Sequence, residues 1–75
     1  MQRSEFDRVQ DALDDATEGD GYHVRISLKG GHSITGAYYR PEKIAQIVRI
    51  DVTESNKTLP CFVEIDSISA IQLVP

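Results

Sequence analysis

The spacing of apolar residues changes once along this 75-residue chain, and that change limits the folds open to it. Near the start, Phe6, Val9 and Leu13 recur at intervals of three or four residues, which is the spacing of an amphipathic helix. From Tyr22 onward, apolar and polar residues alternate, as they do in half-buried strands. We therefore predict one helix followed by β-structure.

The helix is expected to cover about residues 5–18. Ser4 is followed three residues later by Asp7, an acidic variant of the capping box that favours a helix start there. Gly19 and Gly21 supply the positive-φ positions that end a helix. Because the apolar stripe is narrow and the helix is short, it should be stable only when packed against the rest of the domain or a partner.

Five short runs of alternating residues predict five strands, separated by glycine-rich or polar turns. A small, strongly bent antiparallel barrel accounts for them, because closing a sheet removes its exposed edges. We therefore expect a mainly β (α+β) fold in a single domain, residues 1–75, with an acidic helix in 1–20 and the barrel in 21–75. The predicted strands cover residues 22–29, 33–39, 46–53, 58–65 and 68–74.

Individual residues refine the prediction for these strands. Gly36 lies inside the second strand and indicates a sharp bend or a close backbone approach. Pro60 cannot donate to a ladder, which places the fourth strand at an edge or makes its start bulged. The alternation of the same strand directs Leu59, Cys61 and Val63 inward, so Cys61 is expected to be an inert core thiol.

The charge of the chain is divided unevenly. The formal net charge is −4, but residues 1–20 carry seven acids and two bases, whereas residues 21–75 carry five acids and six bases. The predicted helix is thus −5 and the predicted barrel +1. Charge alone does not exclude nucleic acid as a ligand of the barrel.

Residues 24–36, with the sequence VRISLKGGHSITG, resemble the first half of the Sm motif, V-x-h-x-L-x-x-G-x-x-h-x-G with h apolar. Residues 66–71, DSISAI, are similar to the closing turn and last strand of Sm-like and Hfq-like proteins. The resemblance implies an SH3-like, Sm-like barrel that assembles into a homo-oligomeric ring, in which the fourth and fifth strands pair between neighbours. It also implies RNA as a ligand.

The RNA pocket of the family is not carried over. The family's Asp-x-x-Met-Asn-type loop is replaced by YYRPEK at residues 38–43, and the Arg-Gly or Lys-His of the second motif by EID at residues 64–66. A second resemblance is to the Rof family of Rho inhibitors, small acidic Sm-like barrels with a helical N-terminus. That resemblance implies a protein–protein interaction module that covers a basic surface of a partner.

Two sets of candidate binding residues follow. Aromatic and cationic side chains suit single-stranded nucleic acid, through stacking and phosphate contacts. Acidic side chains on the helix suit the alternative, a basic protein partner. The nucleic-acid set is Arg25, Lys29, His32, Tyr39, Arg40 and Lys43, and the partner set is Asp11, Asp14, Asp15 and Glu18.

Other functions find no motif in the sequence. There is no glycine-rich phosphate loop and no nucleophile motif, so we expect a protein that is not an enzyme and that uses no cofactor. The histidines, the lone cysteine and the nearby acids are not at a metal-ligand spacing, so no metal site is expected. No apolar run approaches the length of a membrane span. We expect no membrane association and a cytoplasmic location.

Overall fold

A computed structural model describes residues 1–17, 21–41 and 45–74 of the chain. It contains one helix, five strands and a single 3₁₀ turn, and all strand pairings are antiparallel. The predicted order of one helix followed by five strands is confirmed. The elements are α1 (Arg3–Ala16), β1 (Tyr22–Leu28), β2 (Ser33–Tyr39), β3 (Ile47–Glu54), β4 (Lys57–Glu64), the 3₁₀ turn (Ile65–Ser67) and β5 (Ile68–Val74).

The five strands form one bent sheet in the order β4-β3-β2-β1-β5. The sheet is not closed, because β4 and β5 lie at opposite edges and do not pair with each other within the described residues. The predicted bending is therefore confirmed, whereas complete closure of the barrel is not. Each edge strand pairs with a neighbour on one side only, so the N–H and C=O groups on its other side are outside the ladder. Another strand can pair with those groups.

Gly36 lies in β2 just before the residue at which β2 begins to pair with β3. The pairing of β2 with β3 begins one residue later, at Ala37 opposite Asp51, while Gly36 itself pairs with Val24 on the other side. A Cβ atom at Gly36 would lie 2.2 Å from the carbonyl oxygen of Asp51 and 2.8 Å from the Cγ2 atom of Ile50. The close backbone approach predicted at this glycine is confirmed, and it is what permits the bend.

The start of α1 differs from the prediction. The helix begins at Arg3 with Gln2 as its N-cap, so Ser4 lies inside the first turn. The backbone N–H of Gln2 donates to the Glu5 carboxylate at 3.3 Å, which satisfies a group that would otherwise be unpaired at the helix start. The capping box predicted at Ser4 and Asp7 is therefore wrong by two residues.

The end of α1 is also earlier than predicted. The helix ends at Ala16, and Thr17 has an extended backbone. The Thr17 hydroxyl donates to the carbonyl of Leu13 at 2.9 Å, so it satisfies one of the last helical carbonyls. Gly21 has the expected positive φ, at 92°, whereas the role predicted for Gly19 lies outside the described residues.

The core lies between α1 and the concave face of the sheet. Its fully buried side chains come from the helix, β1, β3, the 3₁₀ turn and the first residue of β5, and they form one cluster. The alternation of apolar and polar residues predicts that the apolar side chains of β1 and β3 point inward, and this is confirmed. The largest buried members are Phe6, Val24, Ile26, Val48, Ile50, Ile65 and Ile68.

Among the described residues, one polar side chain is buried, that of Gln10 on the inner face of α1. Gln10 accepts a hydrogen bond from the Tyr38 hydroxyl, and its amide donates to the Tyr22 hydroxyl at 3.3 Å and to the Asp14 carboxylate at 3.0 Å. The two tyrosine rings stack with their centroids 5.4 Å apart. Because burial disfavours a phenolate, the pKa of Tyr38 is raised well above its usual value. This network attaches the helix to β1 and β2.

The first half of β4 is less buried than the alternation predicted. Leu59 is 56% exposed and Cys61 is half-buried, and only Val63 is buried as expected. The reason is that β4 is an edge strand whose first half extends beyond the core. Leu59 and Cys61 line one side of an open cleft of about 410 Å³ that also contacts Ile34 of β2.

Candidate nucleic-acid interface

A group of basic side chains lies on the convex face of the sheet and at the end of its first hairpin. His23 and Arg25 belong to β1, Lys29 follows its last residue, and His32 precedes β2. All four side chains are exposed. We call this group, His23, Arg25, Lys29 and His32, the cationic band. The alternation from Tyr22 onward predicts that His23, Arg25 and Lys29 point outward, and their exposure confirms it.

The strands beside the cationic band contribute uncharged side chains. Arg25 lies between Thr35 of β2 and Gln72 of β5, and Ser27 lies between Ser33 and Ala70. None of the ion pairs within residues 1–17, 21–41 and 45–74 includes Arg25 or Lys29. Their charges are therefore not neutralised by neighbouring acids of this part of the chain. A surface of this kind attracts anions such as phosphate groups.

A second feature of the convex face is a row of side chains across β2, β3 and β4. Tyr39 pairs with Arg49, and Arg49 pairs with Phe62, so the three residues are cross-strand neighbours. The Arg49 guanidinium lies over the Tyr39 ring, with its central carbon 4.6 Å from the ring centroid. Tyr39 is 47% exposed and Phe62 is 66% exposed. We call Tyr39, Arg49 and Phe62 the aromatic row.

The charge within the aromatic row is balanced by an acid on the same strand. Asp51 accepts two hydrogen bonds from Arg49, at 2.9 Å from Nε and 3.2 Å from a terminal nitrogen. This bidentate contact lowers the pKa of Asp51 and raises that of Arg49, because each charged form stabilises the other. It also fixes the guanidinium in its position above the Tyr39 ring. The row therefore combines exposed aromatic area with a fixed and locally neutral ion pair.

Arg40 and Asp14 were assigned by sequence to different binding sites, and the structure places them together. The Arg40 guanidinium lies 2.6 Å from the Asp14 carboxylate, which also accepts the amide of Gln10. Arg40 thus connects the end of β2 to the helix. The charges of Arg40 and Asp14 therefore partly neutralise each other.

The other described acids of the predicted partner set do not contact Arg40 in an ion pair. Asp11 and Asp15 are exposed, and neither is in an ion pair within the described residues. Glu18 of the predicted partner set and Lys43 of the predicted nucleic-acid set lie outside the described residues. Within the described residues, the members of the predicted partner set that are in no ion pair are therefore Asp11 and Asp15.

The sequence interpretation missed two members of the aromatic row. The alternation in β3 and β4 indicates that Arg49 and Phe62 point outward, but alternation within one strand does not state which residues of the neighbouring strand lie opposite. The register brings Tyr39, Arg49 and Phe62 into one row. A signal was present in Phe62, a large apolar residue at an outward position.

Neither a metal-ligand cluster nor a membrane-spanning helix occurs in the described residues. No group of three or more His, Cys, Asp or Glu side chains converges as metal ligands within residues 1–17, 21–41 and 45–74. Within the same residues, no helix has the length and apolar character needed to cross a membrane. The open cleft beside Leu59 is lined mainly by apolar and hydroxyl side chains.

Comparisons with known proteins do not identify a family. No family model matches the chain, and no curated protein and no solved structure matches it either. The functional interpretation therefore depends on the surface chemistry of the chain itself.

Proposed function

We propose that this chain is a non-catalytic, Sm-like binding module that assembles into a homo-oligomeric ring and binds single-stranded RNA. The observation that carries the proposal is the cationic band, whose exposed charges lie among hydroxyl, amide and small side chains on one side of a sheet. Phosphate contacts of this kind supply much of the affinity for nucleic acid. Hydroxyl and amide groups beside them supply additional hydrogen-bond donors to phosphate oxygens.

The strand order supports the proposed assembly, which would strengthen the cationic band. Both β4 and β5 have an open edge, so β4 of one copy can pair with β5 of the next. One copy offers only two permanent positive charges in the band, which is a weak grip on phosphate. Several copies around a ring multiply that charge. Repeated weak contacts to one RNA strand then add through their high effective concentration.

Pro60 restricts where the β4 edge can pair. The N–H of Ile65 points toward β3, because it donates to the Gln46 carbonyl at 2.9 Å. Since N–H directions alternate along a strand, the nitrogen of Pro60, five positions earlier, is directed to the open edge. Proline has no N–H to offer there. A partner strand is therefore expected to pair beyond Pro60, with Phe62 and Glu64.

Assembly is tested by the mass in solution. Light scattering at micromolar concentration should give a multiple of the 8.4 kDa chain mass. Glu64→Pro should lower this mass, because it removes an outward N–H, while the φ of −71° at Glu64 already suits proline. A mass near 8.4 kDa for the unaltered chain contradicts the ring. Glu54→Ala, an exposed acid at the end of β3, is the matched control and should leave the mass unchanged.

RNA binding is tested by titrating short U-rich and A-rich single strands at low salt. Arg25→Ala and Lys29→Ala should each weaken binding about fivefold, corresponding to roughly 1 kcal/mol. Each should also reduce the salt dependence, by about 0.7 in the slope of log affinity against log salt. Lys57→Ala is the matched control, since it removes an exposed charge from β4 rather than from the band. Absence of binding by the unaltered chain at low salt overturns the proposal.

The acidic face of α1 supports a second candidate, a module that covers a basic surface of a protein partner. Asp11 and Asp15 are exposed and are the residues to reverse, because reversal at Asp14 would also break its contacts with Arg40 and Gln10. Under this candidate, Asp11→Lys with Asp15→Lys abolishes binding to a cationic protein and leaves RNA binding no weaker. Unchanged binding to the cationic protein argues against it.

A further inference from the structure

We propose that the aromatic row is a base-stacking site for single-stranded RNA, with one base on the Arg49 guanidinium and another on the Phe62 ring. This inference rests on the proposed function, because it specifies how the RNA held by the cationic band is bound. It differs from a phosphate site in its chemistry. A base presents a flat, uncharged aromatic face, and aromatic rings and guanidinium planes are the groups on which bases stack.

The exposure and orientation of the row suit stacking. Phe62 is 66% exposed on the convex face, so one face of a large apolar ring is open to solvent. The Arg49 side chain is 48% exposed even though its guanidinium covers the Tyr39 ring. Asp51 fixes that guanidinium from the side through two hydrogen bonds. Because these hydrogen bonds already hold the guanidinium in place, little side-chain freedom is lost when a base stacks on it.

The spacing of the row suits a single strand of nucleic acid. The Arg49 guanidinium lies over the Tyr39 ring, so the two proposed stacking positions are above Tyr39 and at Phe62. Tyr39 and Phe62 are separated by two strand spacings, or about 10 Å between their backbones. Successive bases of an extended single strand can reach sites at that separation without being stacked on each other. A duplex cannot use the row in this way, because its base faces are covered by their neighbours.

Charge and continuity favour RNA over a protein as the occupant. Tyr39 lies on the same strand as Thr35, the neighbour of Arg25, about 13 Å further along β2. A strand of RNA can therefore run from the cationic band to the aromatic row over one continuous face. The row itself adds no unbalanced positive charge, because Asp51 neutralises Arg49. Phosphates are attracted at the band and bases at the row, which is the combination typical of single-strand binders.

The test compares two exposed apolar residues of β4 that lie on opposite faces. Phe62→Ala should weaken binding of oligo(U) and oligo(A) of about ten nucleotides by about 10-fold, the effect of losing one stacked base. Leu59→Ala is the matched control, since Leu59 is 56% exposed but in the opposite phase, and it should change binding by less than about twofold. Arg49→Lys keeps the positive charge but removes the planar guanidinium, so it should also weaken RNA binding. Circular dichroism checks that each variant is folded.

Two further readouts separate stacking from electrostatics. Phe62→Ala should leave the salt dependence unchanged, because a stacked base releases no counterions. It should also leave the affinity for duplex RNA of the same length unchanged. If Arg25→Ala weakens binding and Phe62→Ala does not, the stacking site is refuted while the RNA-binding function stands. If Phe62→Ala lowers the mass in solution and leaves RNA affinity intact, the row is a contact between copies and the inference is overturned.

Discussion

Gly36→Ala is expected to unfold the protein or to destabilise it by about 3 kcal/mol or more. The added Cβ atom would lie 2.2 Å from the carbonyl oxygen of Asp51, 2.9 Å from its carbonyl carbon and 2.8 Å from the Cγ2 atom of Ile50. Two of these three atoms belong to the backbone of β3, so relief requires β2 and β3 to separate where their pairing begins. A side-chain rotation cannot provide it. Urea denaturation followed by circular dichroism measures the loss.

Gly30→Ala is the matched control for Gly36→Ala. It makes the same chemical change in the first hairpin, but its nearest contact is 3.9 Å away, on the ring of His32, and its φ is not positive. We expect a change of less than about 0.5 kcal/mol in the free energy of unfolding. If the two variants are equally stable, the close approach of β2 and β3 at Gly36 does not hold the bend.

Much of the fold could be predicted because its main determinants are local. The alternation of residues 33–39 and 68–74 predicts the bounds of β2 and β5 correctly, and Gly36 indicates the bend. The helix was misplaced by two residues because Ser4 is a stronger N-cap by residue type than Gln2. Whether the helix begins at Gln2 or at Ser4 depends on how it packs against the sheet. That packing involves residues far away in the sequence, so the residues near the helix start do not predict it.

The candidate site was less predictable, because register and edge position determine it. Arg25 and Lys29 could be recognised as outward bases from the phase of one strand. Phe62 and Arg49 become neighbours of Tyr39 only once β2, β3 and β4 are aligned. The pairing of Arg40 with Asp14 joins residues 26 positions apart through the docking of the helix, which no pattern of spacing contains.

The aromatic row and the cationic band differ in how firmly the sheet holds them. His23 and Arg25 of the band lie on β1, which pairs with a strand on each side, whereas Phe62 lies on the edge strand β4. An edge strand is held by one ladder only, so the position of Phe62 depends on the pairing of β4 with β3 and on any strand that adds to its open side. The proposed assembly and the proposed base stacking are therefore expected to be coupled, and a test is whether RNA affinity per chain increases with protein concentration as copies pair.

Phe6→Ala is expected to lower the free energy of unfolding by about 3–5 kcal/mol. Phe6 is 1% exposed, lies in the second turn of α1, and belongs to the same buried cluster as Ile65 and Ile68 at the start of β5. Alanine favours the helix by intrinsic propensity, so the loss must come from packing rather than from the helix itself. Because small single domains have only about 5–15 kcal/mol of stability, this loss is a large part of the total.

Val9→Ala in the same helix is the control for Phe6→Ala, and it decides whether the helix is part of the fold or an accessory to it. Val9 is half-buried at the edge of the same cluster and should lose less stability. If the sheet needs α1 to cover its concave face, Phe6→Ala should lower the helical and the strand signals of circular dichroism together in one transition. A variant that loses the helical signal first and keeps the strand signal would mean that the five strands fold alone. In that case the acidic segment is a separable element, and its charge no longer limits what the sheet can bind.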